Sequence, residues 1–327
     1  QHRIDLLVRL GEYISASDKA WKEAKERAGL ENGWFIPEFV ELATQNIARA
    51  YLKKDILEQW VANYNPGSYQ KKTRNDKPLS VGIVMAGNIP LVGFHDWLCV
   101  FIAGHRALIK PSSKDQVLIK HLIEKIGELD TDARSRTEFA GMLKGCDAYI
   151  ATGSNNSSRY FEYYFGKYPH IIRRNRTSVA ILDGKETVNE LEKLADDVYQ
   201  YFGLGCRNVT RIYVPQGYDF VPLLDAFRKY NWLADHHKYK NNYDYNLAIA
   251  LLNKKFYMTN GSVLLLEEPG LFSPISQLNY EFYTDRAALE AGLKNNPDLQ
   301  CVMGAGHLPF GVAQCPGIGD YADGVDT

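Results

Sequence analysis

Residues 80–113, SVGIVMAGNIPLVGFHDWLCVFIAGHRALIKPSS, decide the fold. SVGIVMAG (80–87) is a short apolar run rich in β-branched residues, too short for a core helix, and reads as a strand buried on both faces. LVGFHDWLCVFIAG (91–104) follows as a helix and RALIKP (106–111) as a second strand. The same alternation continues outward: KDQVLIKHLIEKIGEL (114–129) is a helix, DAYIATG (147–153) a strand and SSRYFEYYFGKY (157–168) a helix. This βαβαβ order predicts an open α/β sheet of parallel strands. Its ligand is expected beyond the carboxyl ends of the strands, where the loops GNIP, KPSS and TGSNN fall together.

Upstream, residues 4–64 carry apolar positions at helical spacing in IDLLVRLGEYI, FIPEFVELATQNIARAYL and KKDILEQWVANY, and are expected to form a helical front. The polar, turn-rich stretch NPGSYQKKTRNDKP (65–78) separates it from the first strand. Downstream, a second unit reads as strand SVAIL (178–182), helix TVNELEKLADDVYQYFGL (187–204), strand VTRIYVP (209–215) and helix YDFVPLLDAFRKY (218–230). NLAIALL (246–252) and SVLLLEE (262–268) are strand candidates, followed by a helix at DRAALEAGLKN (285–295) and a Gly-rich close.

The 327 residues include 38 Lys and Arg against 39 Asp and Glu, a net charge of −1. A nucleic-acid binder or a polybasic membrane-surface protein carries a basic surplus, so neither is expected. With 45% hydrophobic residues the chain has material for a large core, and its length favours two domains. No apolar run approaches the roughly 20 residues of a membrane helix, and QHRIDLLVRLGEYI lacks the order of a signal peptide. The five cysteines (99, 146, 206, 301, 315) are odd in number and form no CxxC pair, which argues for a reducing, cytoplasmic location and against a disulfide scaffold or a zinc ribbon.

Six short motifs in order then resemble the aldehyde dehydrogenase superfamily: GNIPL (87–91), ALIKPSS (107–113), ATGS (151–154), FGLGCRNVTRIYV (202–214), LFSP (271–274) and LPFG (308–311). Each alone is weak. The wording of GNIPLVGFHDWLCVFIAGH, RNRTSVAILDG, EEPGLFSPISQLNYEFY and GDYADGVDT is most similar to the acyl-CoA reductase branch, the LuxC-type fatty-acid reductases. The resemblance implies an aldehyde-dehydrogenase-like α/β fold with an open α/β cofactor domain and an α/β catalytic domain. The boundaries expected are 1–172 for the helical front and nicotinamide-cofactor domain, 173–310 for the catalytic domain, and 311–327 for a segment returning to the cofactor domain.

The resemblance also implies roles. Cys206, flanked by Gly203 and Gly205 at a sharp turn between helix and strand, is the expected nucleophile, since a thiolate attacks a thioester far better than a hydroxyl does. The other four cysteines are expected to be structural. Asn88, after a strand end, is placed to donate a hydrogen bond to the oxyanion together with the Cys206 N–H. Lys110, Ser112 and Ser113 are expected at the adenosine ribose. Where NAD-preferring relatives often carry a glutamate, this chain has Ser113 between two lysines, so NADPH is expected and NADH tolerated. Thr152, Gly153 and Ser154 open a helix whose N–H groups suit a pyrophosphate. Glu268, in preference to Glu267, is expected at the nicotinamide ribose. The histidines show no HxH or HxxxH spacing, and no metal is expected.

One absence sets direction. Hydrolytic relatives carry a glutamate that activates water, but HIIRRNRTSVAIL (170–182) holds no carboxylate before Asp183. The expected activity is therefore NAD(P)H-dependent reduction of a fatty acyl-CoA or acyl-protein thioester to the aldehyde through a Cys206 acyl-enzyme. Two alternatives stay open on the sequence: a CoA-acylating or hydrolytic aldehyde dehydrogenase, and a non-catalytic cofactor-binding subunit of a fatty-acid reductase complex. A homo-oligomer is expected, with YQKKT (69–73) and the C-terminal segment as contact regions.

Overall fold

The computed structural model describes residues 1–64 and 77–327. Most of the polar stretch 65–78, with the contact region suggested at YQKKT, lies outside the described residues. The chain divides into two compact units, Gln1–Asn175 with Pro316–Thr327, and Arg176–Cys315.

The first unit opens with four helices, α1 (His2–Ser15), α2 (Lys19–Glu31), α3 (Pro37–Ala50) and α4 (Lys54–Ala62). Its α/β part runs β1 (Ser80–Val84), α5 (Phe94–Ala103), β2 (Arg106–Lys110), α6 (Val117–Leu129), α7 (Thr131–Ser135), β3 (Thr137–Phe139), β4 (Ala148–Thr152), α8 (Asn155–Phe165) and β5 (His170–Arg173). The five strands are parallel, in the order β3-β2-β1-β4-β5. The front helices belong to the same core. Leu6, Leu7, Leu10 and Ile14 of α1 pack in one apolar cluster with Leu118, Leu122 and Ile126 of α6 and with Ile83 and Ile109 of the sheet. Truncating a residue as deeply buried as Leu122 to alanine costs about 3 kcal/mol.

The last residues close this unit. Arg173, 3% exposed, donates to Asp96 (2.7 Å), the Ala322 carbonyl (3.2 Å) and the Thr327 hydroxyl (2.6 Å). Tyr321 accepts from Trp60 Nε1 at 2.9 Å and meets the Tyr64 hydroxyl. His95 packs beside Tyr51, Trp60 and Tyr321 and bonds the Ile318 carbonyl, a structural position.

The second unit contains β6 (Thr177–Ile181), α9 (Val188–Tyr199), β7 (Val209–Pro215), α10 (Val221–Ala226), α11 (His237–Leu252), β8 (Met258–Thr259), β9 (Leu264–Glu267), β10 (Gln277–Tyr283), α12 (Arg286–Leu293) and β11 (Leu299–Gly304). Its sheet order is β11-β6-β7-β10-β9-β8, parallel except for the short antiparallel β8–β9 pair.

Two sequence expectations fail here. NLAIALL is the last turns of α11, not a strand: the helix is apolar on both faces, with Tyr239, Tyr243 and Ala250 buried and Ile249, Leu251 and Leu252 exposed, so the run shows no helical period. The helix expected through Leu204 ends at Tyr199, because Tyr201, Phe202 and Gly203 take left-handed backbone angles (φ 54°, 58° and 74°). Side-chain-bearing residues seldom adopt that region.

Candidate active site

In the first unit the three predicted loops lie side by side. β2, β1 and β4 are neighbours, with Val84 level with both Lys110 and Ala151, so the chain leaves all three strands at one edge. The strand order reverses between β1 and β4, which makes this edge the switch point where open α/β sheets bind ligands. Asn88, Lys110 and Ser113 are exposed there and Ser112 is half-buried. Ser154 caps α8 by accepting the Ser157 N–H at 3.3 Å, while the Gly153 N–H bonds the Arg173 carbonyl at 3.2 Å. A Cβ on Gly153 would meet Phe161 at 2.9 Å and Ser157 at 3.0 Å, so the approach of the loop to its helix requires glycine.

The Asn88 and Lys110 loops are joined. A Cβ on Gly87 would meet Ser112 Oγ at 2.5 Å, and the Leu91 N–H donates to Asp115 Oδ2 at 2.6 Å. Burial pushes the Asp115 carboxyl up to about 7, against the opposing pull of the Leu91 N–H. None of the motifs contains Asp115. A buried carboxylate has no sequence signature beyond its place in a loop.

In the second unit, half-buried Cys206 lies between the left-handed residues and β7. Asn208, fully buried, fastens this turn. Its Oδ1 accepts the Gly205 N–H at 2.8 Å, and its Nδ2 donates to the carbonyls of Asp197 (3.1 Å), Val198 (3.3 Å) and Gln200 (2.9 Å). The backbone closes the turn with Asn208 N–H to Gly205 carbonyl at 3.1 Å. Ser178 Oγ donates to the Cys206 carbonyl at 3.2 Å and lies 2.9 Å from Cys301 Sγ. Cys99 and Cys146 are buried and Cys301 is half-buried, and burial pushes all three thiols up; Cys315 is exposed.

The LFSP stretch comes to the same turn. Ser273, Pro274 and Ile275 line a small cavity of about 20 Å³ with Phe202, Gly203 and Thr210, and Thr210 Oγ1 donates to the Leu271 carbonyl at 2.6 Å. Glu268 does not come there. Asn279 is level with Arg211 and Gln277 with Leu264, so Leu264 is level with Val209. Cys206 precedes that level and Glu268 follows it, which places them at opposite edges of the sheet. Glu268 is ion-paired with Lys255 beside a separate cavity of about 540 Å³ that Arg211 and Tyr280 also line. The LPFG turn is held by Asp197, whose carboxylate accepts the N–H groups of Gly311 (2.7 Å) and Ala313 (3.0 Å). His307, by contrast, faces Glu290 at the surface.

Among the described residues no group of three His, Cys, Asp or Glu side chains is placed to hold a metal ion, and no helix is long and apolar enough to cross a membrane.

This is the α/β architecture of the aldehyde dehydrogenases. The chain is similar in structure to HpcC from Thermus thermophilus (TM-score 0.66, 13% identity, covering 92% of this chain and 69% of that one). It is also similar to a Mycobacterium tuberculosis aldehyde dehydrogenase complexed with NAD+ (0.64, 13%, 90% and 71%) and to an E. coli NADP-dependent enzyme (0.65, 13%, 92% and 72%). At such identities the likeness shows the fold. No curated protein matches the chain. Residues 41–222 match the family model for acyl-CoA reductase (LuxC), so the chain belongs to the LuxC acyl-CoA reductase family and is an oxidoreductase of that type.

Proposed function

We propose that this reductase converts a fatty acyl thioester, carried by CoA or by a protein, to the aldehyde with NADPH, through an acyl-enzyme on Cys206. The observation that carries the reading is the Cys206 turn: a thiol on a glycine-flanked turn that follows three left-handed residues and is fastened to the end of α9 by a buried amide. A nucleophile needs this kind of fixed presentation, whereas a cysteine packed as core does not.

The Cys206 thiolate attacks the thioester carbonyl, and the bond to the departing thiol breaks once the tetrahedral oxyanion collapses. That oxyanion needs hydrogen-bond donors, and the Cys206 N–H and the Asn88 carboxamide are the candidates for them. With no carboxylate between residues 170 and 182, nothing there activates water, and the acyl group stays on sulfur. The first unit then serves as cofactor domain and the second as catalytic domain. The β1/β2/β4 edge fits a dinucleotide: Lys110 is exposed, Ser113 is uncharged, and the capped start of α8 suits a pyrophosphate. When bound, the nicotinamide supplies the hydride that takes the thioester to the aldehyde level. Of the similar structures, one binds NAD+ and another is NADP-dependent; the uncharged Ser113 beside Lys110 favours the 2′-phosphate.

The test is NADPH oxidation by the purified protein with acyl-CoA substrates of several lengths, with the aldehyde product identified. Cys206→Ala is expected to lower the rate by about 10³-fold or more while leaving NADPH binding intact. A Cys206→Ala variant with the wild-type rate, or free acid as the product, would overturn the reading. Ser113→Glu is expected to shift preference toward NADH by about tenfold or more, through repulsion of the 2′-phosphate.

A further inference from the structure

Asp115 follows KPSS and stands just before Gln116, the residue that precedes the first turn of α6. A carboxylate near a helix start can accept N–H groups of the first turn, and Gln116, at the N-cap of α6, makes no side-chain cap. Asp115 turns away from it. At 6% exposure, its Oδ2 reaches the Leu91 N–H at 2.6 Å, and its Oδ1 has no hydrogen-bond partner among the described residues. Burying a carboxylate with one oxygen unsatisfied is costly, so the remaining hydrogen bond secures something the fold needs.

That something is the loop after β1. Leu91 is buried and left-handed (φ 57°), a conformation L-residues rarely adopt, and its N–H is held by Asp115. Asn88 lies three residues earlier in the same loop. On the other side, the turn that carries Asp115 is closed by its own N–H to the Ser112 carbonyl (3.1 Å) and by the Lys114 N–H to Ser112 Oγ (3.2 Å). Asn32 Nδ2 further anchors it by donating to the Lys114 carbonyl at 3.1 Å. The contact between Gly87 and Ser112 brings the two loops together at a second point, where an added Cβ would also come within 3.3 Å of Asp115 Cβ.

We infer that Asp115 is a positioning residue for the reaction: through Leu91 it fixes Asn88 against the turn bearing Lys110, Ser112 and Ser113, so that the oxyanion donor and the cofactor loop form one piece. This rests on the roles proposed above for Asn88 and Lys110. A group that places the oxyanion donor acts on the transition state more than on substrate binding, so its loss lowers kcat and leaves KM nearly unchanged. The acceptor oxygen matters and the charge does not. Asn at 115 therefore keeps the function and Leu, of similar size, loses it.

The experiment uses the full chain, NADPH and dodecanoyl-CoA, together with amide hydrogen exchange over residues 87–93. In Asp115→Leu we expect kcat to fall by about ten- to a hundredfold, KM to change less than about threefold, and the Leu91 amide to exchange faster. Asp115→Asn should stay within about threefold of wild type in all three. If the leucine variant does not fold, Asp115→Ser, too short to reach the Leu91 N–H, takes its place in the comparison. A wild-type kcat in Asp115→Leu, or an Asp115→Asn as damaged as Asp115→Leu, overturns this inference while Cys206-dependent turnover by the wild type leaves the proposed function standing. A wild type that oxidises no NADPH with any acyl thioester overturns the proposed function, and this inference with it.

Discussion

The loops of the first unit and the cysteine turn of the second both hold left-handed residues in place, but by different means. At the Cys206 turn, one buried amide makes four hydrogen bonds and satisfies donors and acceptors alike. At the loop after β1, one buried carboxylate makes a single bond and leaves an oxygen unmatched. The first arrangement gains stability and geometry together. The second fixes geometry at a cost in stability, because the desolvated carboxylate is only partly repaid. Asp197 stands between them, a buried carboxylate with both oxygens matched by backbone N–H groups.

The largest expected effect comes from breaking the better-satisfied site. Asn208→Ala strands the Gly205 N–H and three carbonyls of the α9 end, and should cost about 3 kcal/mol in chemical denaturation. It should also change the alkylation rate of Cys206 at neutral pH; an unchanged rate and stability would mean that the amide is not what holds the turn. Next is Asp197→Asn, in which an NH2 group must face the N–H of Gly311 or of Ala313, with a loss of about 2 kcal/mol read as a lower Tm. Gly87→Ala should follow at about 1–2 kcal/mol, since the new methyl overlaps Ser112, and should raise KM for NADPH more than KM for acyl-CoA. A variant with native stability and kinetics would show that the two loops are not in contact.

The smallest effect is the sharpest. Burial raises Asp115 from its usual 3.8 to about 7, so the folded state retains a proton that the unfolded chain releases near pH 4. The stability this group contributes is fully present below about pH 4 and is lost as pH rises toward 7. Asp197, raised to about 7 chiefly by burial, contributes a loss of the same sign. Asp115→Asn removes one of the two. Its stability should therefore gain on wild type steadily between pH 4 and 7, followed by denaturation at each pH, and a variant that loses ground over that range would contradict the assignment of a buried acid there.

Much of this is legible in the sequence. The elements read between Ser80 and Tyr168 coincide with β1, α5, β2, α6, β4 and α8 because each of those apolar runs is either short and continuous or long and periodic. NLAIALL deceives because α11 is apolar on both faces. β3 and β5, three and four residues long and carrying Glu138, His170 and Arg173, offer no run to read. At the site, residues named from motifs were found at strand ends, as with Asn88 and Lys110. Those that hold the loops, Asp115, Asn208 and Asp197, are polar residues whose burial depends on what folds over them, and no local pattern announces it. Glu268 shows the converse: its proximity to LFSP in sequence does not carry over, because a parallel strand must be re-entered from its opposite end.

The residues that seal Arg173 bear on how the chain is made. Because 316–327 belong to the first unit, the second is an insertion within it, joined by one link on each side. During synthesis the second unit can fold as soon as Cys315 has emerged, whereas Arg173, Trp60 and His95 must wait for Ile318, Tyr321 and Thr327. Of the two units, the one whose translation begins first is thus completed last, and until then its buried guanidinium lacks part of its cage.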